Sequence, residues 1–382
     1  MKNKVVVFGN DHINTLGVIR LFGENGIKPY LFLISNRKKN STSKSKYVNE
    51  SFVFTTEEKA IEFMIQYFSS TEKKVAIIPT SDKTSLCLDK NYSKLKEHFF
   101  VPNINGEENN IHKYMDKFIQ QQLFSKNKIN GIKSVIIELD KPNVSVDIDF
   151  PIILKPNISA NGSKDDITIC ENDDEFKKAK ENLLKLGYDS ILVQKFIKYD
   201  FEADIQGFSY NGETSIPGVI EKVRIWPAKR GSTTYGRVIP VNDYNYIIDC
   251  IKKILNEIKY TGIFDIDIFV VNKEDGSKEF YLNEINFRNS AISYAYKNSY
   301  ICYYWYLSCV NNKLVDSPLI ENEYNFMDDH ADIHNILDKN ISLKQYLNDK
   351  KHSKVLLVQN KLDKRPHYSM FINKIIGNLV KK

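Results

Sequence analysis

The chain has 382 residues, of which 42% are hydrophobic and 27% charged, and its formal net charge is +6. That length allows two or three packed layers. No run of about 18 apolar residues is present, which argues against a transmembrane helix, and residues 1–8 lack the long apolar segment of a signal peptide. These properties predict a globular, cytoplasmic protein.

The positive charge is distributed along the whole chain. Its densest cluster, Arg37–Lys46, is mixed with Ser, Thr and Asn and has the composition of a solvated loop. Nucleic-acid binding requires a basic stripe with interleaved aromatic residues, and the sequence shows none. We therefore predict no nucleic-acid partner and favour small anionic ligands such as nucleotides.

The cysteines and histidines form no recognisable disulfide or metal pattern. The five cysteines contain no CxxC pair and are expected to be buried, reduced thiols. His330 and His334 share a helical spacing, but no nearby cysteine or third histidine completes a metal site. We therefore expect these two histidines to lie on one solvated face of a helix.

The N-terminal part of the chain alternates between apolar runs and helical patterns. Strands are predicted at residues 4–8, 30–34 and 75–79, and a helix over Leu16–Phe22. A strand, a helix and a second strand in this order predict a parallel α/β sheet. Thr80–Asp82 follow the strand at 75–79, and ligands of α/β proteins bind at such strand ends.

The first turn, Gly9–Asp11, has two interpretations. It lacks the GxGxxG spacing of dinucleotide-binding proteins, since Gly9 and Gly17 are eight residues apart, and this disfavours an NAD(P)-dependent oxidoreductase. The turn could present amides at a helix N-terminus to an anionic substrate. Equally, it could be a tight turn that requires glycine.

The remainder of the chain predicts a small mixed lobe followed by a larger sheet. Beyond a turn-rich segment at 101–112, the predicted elements are a helix over about 111–126, strands within 150–169, a helix near 174–186, strands at 191–194, 202–210, 214–223, 264–271 and 279–282, and a helix at 243–258. No internal repeat is present in the sequence.

The strongest chemical signal is a group of acidic and amide side chains on two predicted neighbouring strands. Asp265 and Asp267 alternate with apolar residues, so both point to one face of their strand. A hairpin would bring Asp267 close to Glu284 and Asn286. Carboxylate and amide oxygens are the ligands that Mg²⁺ prefers. The alternative is a solvated sheet face with its polar residues outward.

Four motifs resemble those of ATP-grasp enzymes. Leu282–Arg288 (LNEINFR), preceded by an acidic strand, resembles the magnesium-binding end of that family, where an acidic residue or Gln precedes Glu-x-Asn-x-Arg. Pro151–Pro156 resembles the strand that carries an ATP-binding lysine, and Ile191–Ile197 resembles the hinge strand along the adenine. Asp116-Lys117 resembles the start of the helix that carries an earlier phosphate-binding lysine. The motifs follow the order that the family has.

The resemblance implies that the chain binds ATP. Lys117 and Lys155 would contact the phosphates, and Glu202 would accept hydrogen bonds from the ribose hydroxyls. Gln194 occupies a hinge position that is often Glu, which would weaken the contact with the adenine amino group. The backbone groups that face the adenine edge would come from Lys195, Phe196 and Ile197.

The resemblance also implies a magnesium site and a phosphoryl-transfer centre. Asp267, Glu284 and Asn286 would hold Mg²⁺, for which Mn²⁺ could substitute, and Arg288 would stabilise the transferring phosphoryl group. The phosphate-covering loop, residues 157–163, departs from the family's glycine-rich pattern because it contains one glycine.

These motifs imply an ATP-grasp fold, which combines α/β and α+β architecture. The implied domains are a Rossmann-like parallel-sheet domain over residues 1–105, an ATP-grasp domain over 106–310 and a C-terminal extension over 311–382 that packs on the core. Within the ATP-grasp domain, a small lid lobe would cover about 135–197 and a catalytic mixed-sheet lobe about 198–310.

Flanking segments resemble bacterial carboxylate–amine ligases related to D-aspartate ligase, a group also described as carbamoyl-phosphate-synthase-like. These segments are Ile78–Asp82, Glu221–Thr233 and Asp363–Pro366, and the second would form a wall of the acceptor site. Arg224 could grip a substrate carboxylate bidentately or be a rim arginine. ATP would convert a carboxylate to an acyl phosphate, which an amine then attacks. We find no Cys–His or Ser–His arrangement for a covalent enzyme intermediate.

The sequence leaves the substrates and partners open. The acid and amine could be free small molecules or cell-envelope precursors, and the product could be a surface-polysaccharide amide or a dipeptide. A nucleotide-binding ATP-grasp protein without turnover is the second functional class. A helix over Met370–Lys382 could dock its apolar face on the protein, which we favour, or lie on a membrane surface. A homodimer is also compatible with the sequence.

Overall fold

The computed structural model describes residues 3–37, 39–141, 146–158, 166–228 and 231–380. Most of the predicted phosphate-covering loop, residues 159–163, lies outside these ranges, as do residues 229–230 of the predicted acceptor wall and residues 381–382 of the predicted C-terminal helix. No helix within the described ranges is both long enough and apolar enough to cross a bilayer.

The N-terminal part of the chain alternates between strands and helices. Its elements are β1 (Val5–Asn10), α1 (Ile13–Glu24), β2 (Tyr30–Ile34), β3 (Ser51–Phe54), α2 (Glu57–Tyr67), β4 (Val75–Pro79), α3 (Asp82–Lys90), α4 (Tyr92–Leu95), β5 (Phe99–Phe100) and β6 (Asn103–Ile104). The first five strands form a parallel sheet in the order β3-β2-β1-β4-β5. Strand β4 is buried along its whole length and β1 along all but its last residue, as in sheets covered on both faces. The predicted parallel α/β sheet is confirmed.

A small antiparallel sheet follows. Its elements and the two preceding helices are α5 (Asn110–Tyr114), α6 (Lys117–Lys126), β7 (Ser134–Glu138), β8 (Ile152–Lys155), β9 (Thr168–Cys170), α7 (Asp173–Lys185) and β10 (Ser190–Lys195). The strand order is β7-β10-β8-β9, and α7 packs on one face. The prediction of one helix over 111–126 is wrong. The segment divides at Asp116, whose carboxylate caps α6 by accepting a hydrogen bond from the Ile119 amide at 2.9 Å.

The largest sheet has nine strands. The elements that form and cover most of it are β11 (Phe201–Tyr210), β12 (Glu213–Ser215), β13 (Val219–Trp226), β14 (Ser232–Ile239), α8 (Asn245–Glu257), β15 (Tyr260–Asn272), β16 (Lys278–Asn286) and α9 (Ile301–Asn311). Strand β15 shows the predicted alternation, because Ile266, Ile268 and Val270 are fully buried while Asp265 and Asp267 form ion pairs on the other face. Side chains of α1, α9 and β11 share one hydrophobic cluster, which joins this sheet to the N-terminal sheet.

Residues beyond 311 complete the large sheet. Their elements are β17 (Tyr324–Met327), α10 (Ile333–Leu337), α11 (Leu343–His352), β18 (Ser353–Leu356) and α12 (Arg365–Val380). The strand order is β16-β15-β11-β13-β14-β17-β18, with β12 beside β11 and β6 beside β15. A buried ion pair fastens this region to α1, since Arg20 Nε lies 3.0 Å from Asp363 Oδ2 and neither side chain is more than 1% exposed.

Helix α12 contacts the N-terminal part of the molecule through polar groups. Ser41 Oγ donates to Ser369 Oγ at 3.1 Å, and Asn373 Nδ2 donates to Ser41 Oγ at 3.0 Å. Phe371 and Ile372 belong to the predicted apolar face and are about half exposed. The first part of α12 therefore docks on the protein, as we favoured, but these two apolar side chains do not carry the contact.

His330 and His334 do not share a helix face. Helix α10 begins at Ile333, so His330 precedes it, and His334 stacks on the Trp226 indole with ring centroids 4.1 Å apart. A third histidine, His367, reaches His330 from α12, 37 residues later in the chain. The prediction of a shared, solvated helix face is wrong, because His330 lies before the helix and each histidine packs against another ring. No pattern in the sequence indicates His367 as a partner, since it lies in a distant segment. The prediction for the cysteines is confirmed, since all five are buried and free.

Candidate active site

Three neighbouring strands of the large sheet place carboxylates and an amide on one face. Asp204 of β11 lies opposite Asp267 of β15, which lies opposite Glu284 of β16. Asp265 lies opposite Asn286 in the same hairpin. The hairpin predicted for these residues is therefore confirmed, and the two-residue period of a strand keeps their side chains on a common face.

Lys222 of β13 supplies positive charge at the centre of this face. Its Nζ lies 2.6 Å from Asp267 Oδ1, 3.0 Å from Asp204 Oδ1 and 3.1 Å from Glu202 Oε2. Burial alone would lower the pKa of the Lys222 ammonium, but the three carboxylates raise it well above its usual value. A monovalent side-chain cation therefore lies among three carboxylates.

The pKa values of two carboxyl groups on this face are shifted in opposite directions. Burial raises the pKa of Asp204 well above its usual value, although Lys222 opposes the rise. Burial also disfavours the charge on Asp267, but Lys222 and the hydrogen bond with Asp204 lower its pKa. Adjacent like charges are costly, so the pair favours one shared proton unless a further cation is present. A divalent cation would remove that cost.

Arg288 joins the carboxylate face to the N-terminal sheet. Its Nε donates to Asp82 Oδ1 at 2.8 Å, and its Nη1 donates to Asp265 Oδ2 at 3.2 Å. Asp82 lies in the first turn of α3, directly after the carboxyl end of β4. Burial and the charge of Asp267 raise the pKa of Asp265 to about 6. The guanidinium thus bridges two walls of a cleft.

Two buried lysines approach the same face from α6 and the small sheet. Lys117 Nζ lies 3.1 Å from Glu284 Oε2, and Lys155 Nζ donates to Asn283 Oδ1 at 2.8 Å. Burial, and then the charge of Lys117, lower the pKa of Lys155 to about 8. Burial opposes the charge of Glu284, but Lys117 lowers the pKa of this carboxyl below its usual value. The two predicted phosphate-binding lysines therefore lie beside a predicted metal ligand.

The predicted adenine hinge lies at the end of β10. Gln194 is buried, and its Nε2 donates to Ser134 Oγ at 2.7 Å. The amides of Lys195 and Phe196 donate to backbone carbonyls beside β7 and β8, at 2.9 and 3.0 Å. These bonds occupy two amides of the predicted trio, so the Ile197 amide becomes the candidate donor to the adenine edge.

Glu202 lines a cavity of about 590 Å³ where β11 and β13 separate. Its Oε1 accepts a hydrogen bond from the Tyr199 hydroxyl at 2.7 Å, and the Tyr199 ring stacks on Phe269 with centroids 4.5 Å apart. An ionised carboxylate has about four lone-pair sites. Glu202 therefore keeps acceptor capacity for the predicted ribose contact beside its bonds to Tyr199 and Lys222.

A second cavity, of about 370 Å³, lies between the large sheet and the N-terminal sheet. Its walls include His12 and Ser81 on the N-terminal side and Asp265 and Arg288 on the other. His12 caps α1, with its Nδ1 accepting a hydrogen bond from the Asn14 amide at 3.3 Å. Desolvation within the cleft lowers the pKa of His12, so its imidazole is mostly neutral near pH 7.

The arrangement of these sheets is similar to that of several solved structures. No protein-family model and no curated protein sequence matches the chain. Solved structures do: L-amino acid ligase from Bacillus licheniformis is similar at 15% identity and a TM-score of 0.59, covering 81% of this chain and 74% of that one. N5-carboxyaminoimidazole synthetase from Staphylococcus aureus is similar at 12% identity and a TM-score of 0.64, covering 89% and 87%. The chain has the ATP-grasp fold.

A third solved structure is similar over most of this chain. It is the biotin carboxylase domain of the Hydrogenobacter thermophilus 2-oxoglutarate carboxylase, solved with MgADP, ADP and bicarbonate. The likeness is 15% identity and a TM-score of 0.63, over 85% of this chain and 74% of that chain. At such low sequence identity, these structural similarities show the fold alone, and the predicted fold class is confirmed. The reaction must be inferred from the site itself.

Arg224 lies on the same strand as Lys222 but is bound by the C-terminal part of the chain. Asp332 accepts two hydrogen bonds from its Nε and Nη2, at 2.8 and 2.7 Å, and Asp349 accepts one from Nη1 at 3.1 Å. Its guanidinium also lies over the Tyr235 ring, 4.8 Å from the centroid. The predicted grip on a substrate carboxylate would require breaking these bonds. The contacts favour a structural role between β13 and the C-terminal helices.

The first turn of the chain, Gly9–Asp11, is tightly packed. A Cβ at Gly9 would lie 1.7 Å from Thr80 Oγ1, so a larger residue would force β1 and β4 apart. The Asp11 carboxylate accepts hydrogen bonds from the Ser41 and Thr42 amides at 2.9 and 2.8 Å. These contacts favour the tight-turn interpretation of Gly9–Asp11.

Four residues of the candidate site have no individual role in the sequence-based prediction. They are Asp82, Asp204, Lys222 and Asn283. One signal could have revealed Asp204, because Glu202, Asp204 and Gln206 alternate with apolar residues along β11 as Asp265 and Asp267 do along β15. The contacts of Lys222 depend on the pairing of β11 with β13, which the pattern alone does not specify.

Proposed function

We propose that this protein is an ATP- and Mg²⁺-dependent carboxylate–amine ligase. The observation that supports it most is the group of oxygen ligands at Asp267, Glu284 and Asn286 on adjacent strands. Asp265 Oδ1 nearby is buried and makes no hydrogen bond within the described residues. Such a surplus of hard oxygen atoms fits Mg²⁺, which would neutralise charge on the phosphates of ATP.

ATP would bind between the small sheet and the large sheet. Lys117 and Lys155 would contact its phosphates, and both ammonium groups already lie against the carboxylate face. The Ile197 amide would donate to the adenine edge, and Glu202 would accept from the ribose. Positioning and neutralisation of charge are what phosphoryl transfer mainly requires of a protein.

The proposed reaction has two steps. A carboxylate oxygen of the substrate attacks the γ-phosphorus of ATP, the bond from that phosphorus to the β–γ bridging oxygen breaks, and ADP leaves. The amine nitrogen then attacks the acyl carbon, and inorganic phosphate leaves with the former carboxylate oxygen. Arg288, which bridges the cleft, would stabilise charge on the transferred phosphoryl group.

An amine acceptor is supported by the chemistry of the 370 Å³ cavity. His12 lines its N-terminal wall, where the Nδ1 atom of the mostly neutral imidazole accepts a hydrogen bond from the Asn14 amide. Asp265, on the facing wall, presents a buried oxygen without a hydrogen bond in the described structure. This carboxylate oxygen suits a cationic amine better than a second anionic substrate.

A cell-envelope precursor is one candidate for the acid or the amine. It rests on the resemblance of the flanking segments to carboxylate–amine ligases. Phe371 and Ile372, half exposed on α12, would allow contact with a membrane surface that carries such a precursor. Free amino acids and sugar acids are the alternatives.

An ADP-release screen tests the proposal. Purified protein with ATP and Mg²⁺ is offered amino acids and sugar acids, each with a panel of amines, and product is identified by mass. We expect ADP release that requires both an acid and an amine. ATP binding without ADP release from any pair would contradict the proposal and favour a nucleotide-binding protein without turnover.

ATP affinity should depend on pH through Lys155. The ammonium form binds phosphate, and its pKa of about 8 means that charge is present at pH 7 and lost above pH 8. We expect the Kd of a non-hydrolysable ATP analogue to rise by up to about tenfold per pH unit above pH 8. Lys155→Arg, which stays charged, should show a flatter profile in the same calorimetric titration. Identical slopes for both proteins would exclude Lys155 as the cause.

A further inference from the structure

Three potential metal ligands meet in the C-terminal part of the chain, outside the site described above. Asp329 and His330 follow β17, and His367 lies in the first turn of α12. His330 Nε2 and His367 Nδ1 face each other at 2.8 Å. One ligand atom from each of the three residues lies within 4.8 Å of the others. Two imidazoles and one carboxylate thus converge from segments that are distant in sequence.

The Asp329 carboxylate is held in place from one side and left with acceptor capacity on the other. Asp329 is 1% exposed, and its Oδ1 accepts hydrogen bonds from the Val358 and Gln359 amides, each at 3.1 Å. Its Oδ2 is buried and makes no hydrogen bond within the described ranges. The nearest cation to Oδ2 is Lys350, whose Nζ lies 3.6 Å away. Amide bonds to one oxygen orient a carboxylate so that the other can bind a metal.

The histidines are also positioned by neighbouring groups. The His330 amide donates to Asp328 Oδ1 at 3.2 Å, which fixes the backbone at this point. The Tyr346 hydroxyl donates to the Asp329 carbonyl at 2.8 Å and ties the same turn to α11.

We propose that Asp329, His330 and His367 bind a divalent transition-metal ion, with Zn²⁺ the best match. Imidazole nitrogens favour Zn²⁺, whereas Mg²⁺ favours oxygen ligands, so the two ions are not expected to exchange between this site and the carboxylate face. Tetrahedral Zn²⁺ with bonds of about 2.0–2.1 Å requires ligand nitrogens roughly 3.3 Å apart. The histidine rings separate slightly from their 2.8 Å contact to reach that spacing.

Lys350 is the group that must yield when the metal binds. Its side chain is 27% exposed, so its ammonium can turn toward solvent and leave Asp329 Oδ2 to the metal. Three protein ligands leave a fourth position for water. The bound ion joins the end of β17 to the start of α12 and fastens the C-terminal helix to the large sheet.

Calorimetric titration of the full-length, chelator-treated protein with ZnCl₂, in the presence of excess Mg²⁺, tests this site. We expect one Zn²⁺ per chain, a rise in the temperature of the thermal unfolding transition, and a visible d–d absorption when Co²⁺ is used instead.

His367→Ala should weaken Zn²⁺ binding at least tenfold. Lys350→Met should strengthen it, because the competing ammonium is gone. His352→Ala, a matched change at the exposed end of α11, should leave the affinity unaltered.

These titrations distinguish a metal site from a hydrogen bond between two histidines that binds no metal. Failure of the wild-type protein to bind Zn²⁺, or equal affinity in His367→Ala, would overturn the proposal. If His367→Ala does not fold, His330→Asn and Lys350→Met decide it by their opposite effects on affinity. The readout is metal binding, so the proposal stands or falls independently of the ligase activity.

Discussion

Glu284→Gln will reduce ADP formation by about 10²–10⁴-fold while the protein remains folded. The substitution removes one anionic oxygen from the proposed metal site and keeps the size of the side chain, so that site would lose charge without losing packing. Stabilisation of transition-state charge by a metal ion amounts to several kcal/mol, which corresponds to this range of rates. The change also removes the partner of Lys117, whose Nζ lies 3.1 Å from Glu284 Oε2. Coupled ADP release at saturating ATP measures the effect.

Glu279→Gln is the matched control for that experiment. Glu279 lies on the same strand, β16, but its Oε1 accepts a hydrogen bond from Asn130 at 3.0 Å and it takes no part in the carboxylate group. We expect activity close to that of the wild type. Wild-type activity in Glu284→Gln, with circular dichroism unchanged, would show that Glu284 does not bind the metal.

Lys222→Met will destabilise the magnesium-free protein by about 3–5 kcal/mol, the cost of breaking a buried ion pair from one side. Its ammonium is shared by Glu202, Asp204 and Asp267, and its side chain is 13% exposed. Without it, these three carboxyl groups lose the cation that offsets their negative charge. Added Mg²⁺ should restore much of the lost stability, because the divalent ion supplies the missing charge. Denaturant unfolding with and without Mg²⁺ measures both effects.

Lys278→Met provides the comparison for Lys222. Lys278 pairs with Asp243 at 3.2 Å, but the Asp243 side chain is 73% exposed, and such pairs contribute about 0–1 kcal/mol. We expect little change in stability and no response to Mg²⁺ beyond that of the wild type. Equal losses in the two variants, or no rescue of Lys222→Met by Mg²⁺, would contradict the role assigned to Lys222.

The parts of the site that could be predicted are those that depend on the residue pattern within one strand or hairpin. The hairpin of β15 and β16 follows from an alternation of two residues, which is enough to predict that Asp267 comes close to Glu284. The register shift between Asp267 and Ile268, which sets Asp267 directly opposite Glu284, is not visible in that pattern. Lys155 could be selected because it ends an apolar strand. The parallel N-terminal sheet follows similarly from buried apolar runs such as β4.

The parts that could not be predicted depend on contacts between distant segments. Lys222 meets Asp204 because β13 lies beside β11, and Arg224 meets Asp332 because the C-terminal helices fold back over β13. His367 reaches His330 by a similar return of the chain. The division at Asp116 is local, and the resemblance of Asp116-Lys117 to a helix start indicated it, although the helical pattern on both sides predicted one continuous helix. Strands β17 and β18 have four residues each, too few to show a clear period.

The position of β17 beside β14 has a consequence for how the protein is made. Without β17, the backbone of β14 from Tyr235 to Val238 would be an open sheet edge, which is prone to pair with other chains. Strand β18, which covers β17 in turn, ends at Leu356. The sheet that carries the proposed metal ligands is therefore completed only after Leu356 has left the ribosome. Until β17 and β18 have been synthesised, the open edge of β14 must be kept from pairing with other nascent chains translated from the same messenger RNA.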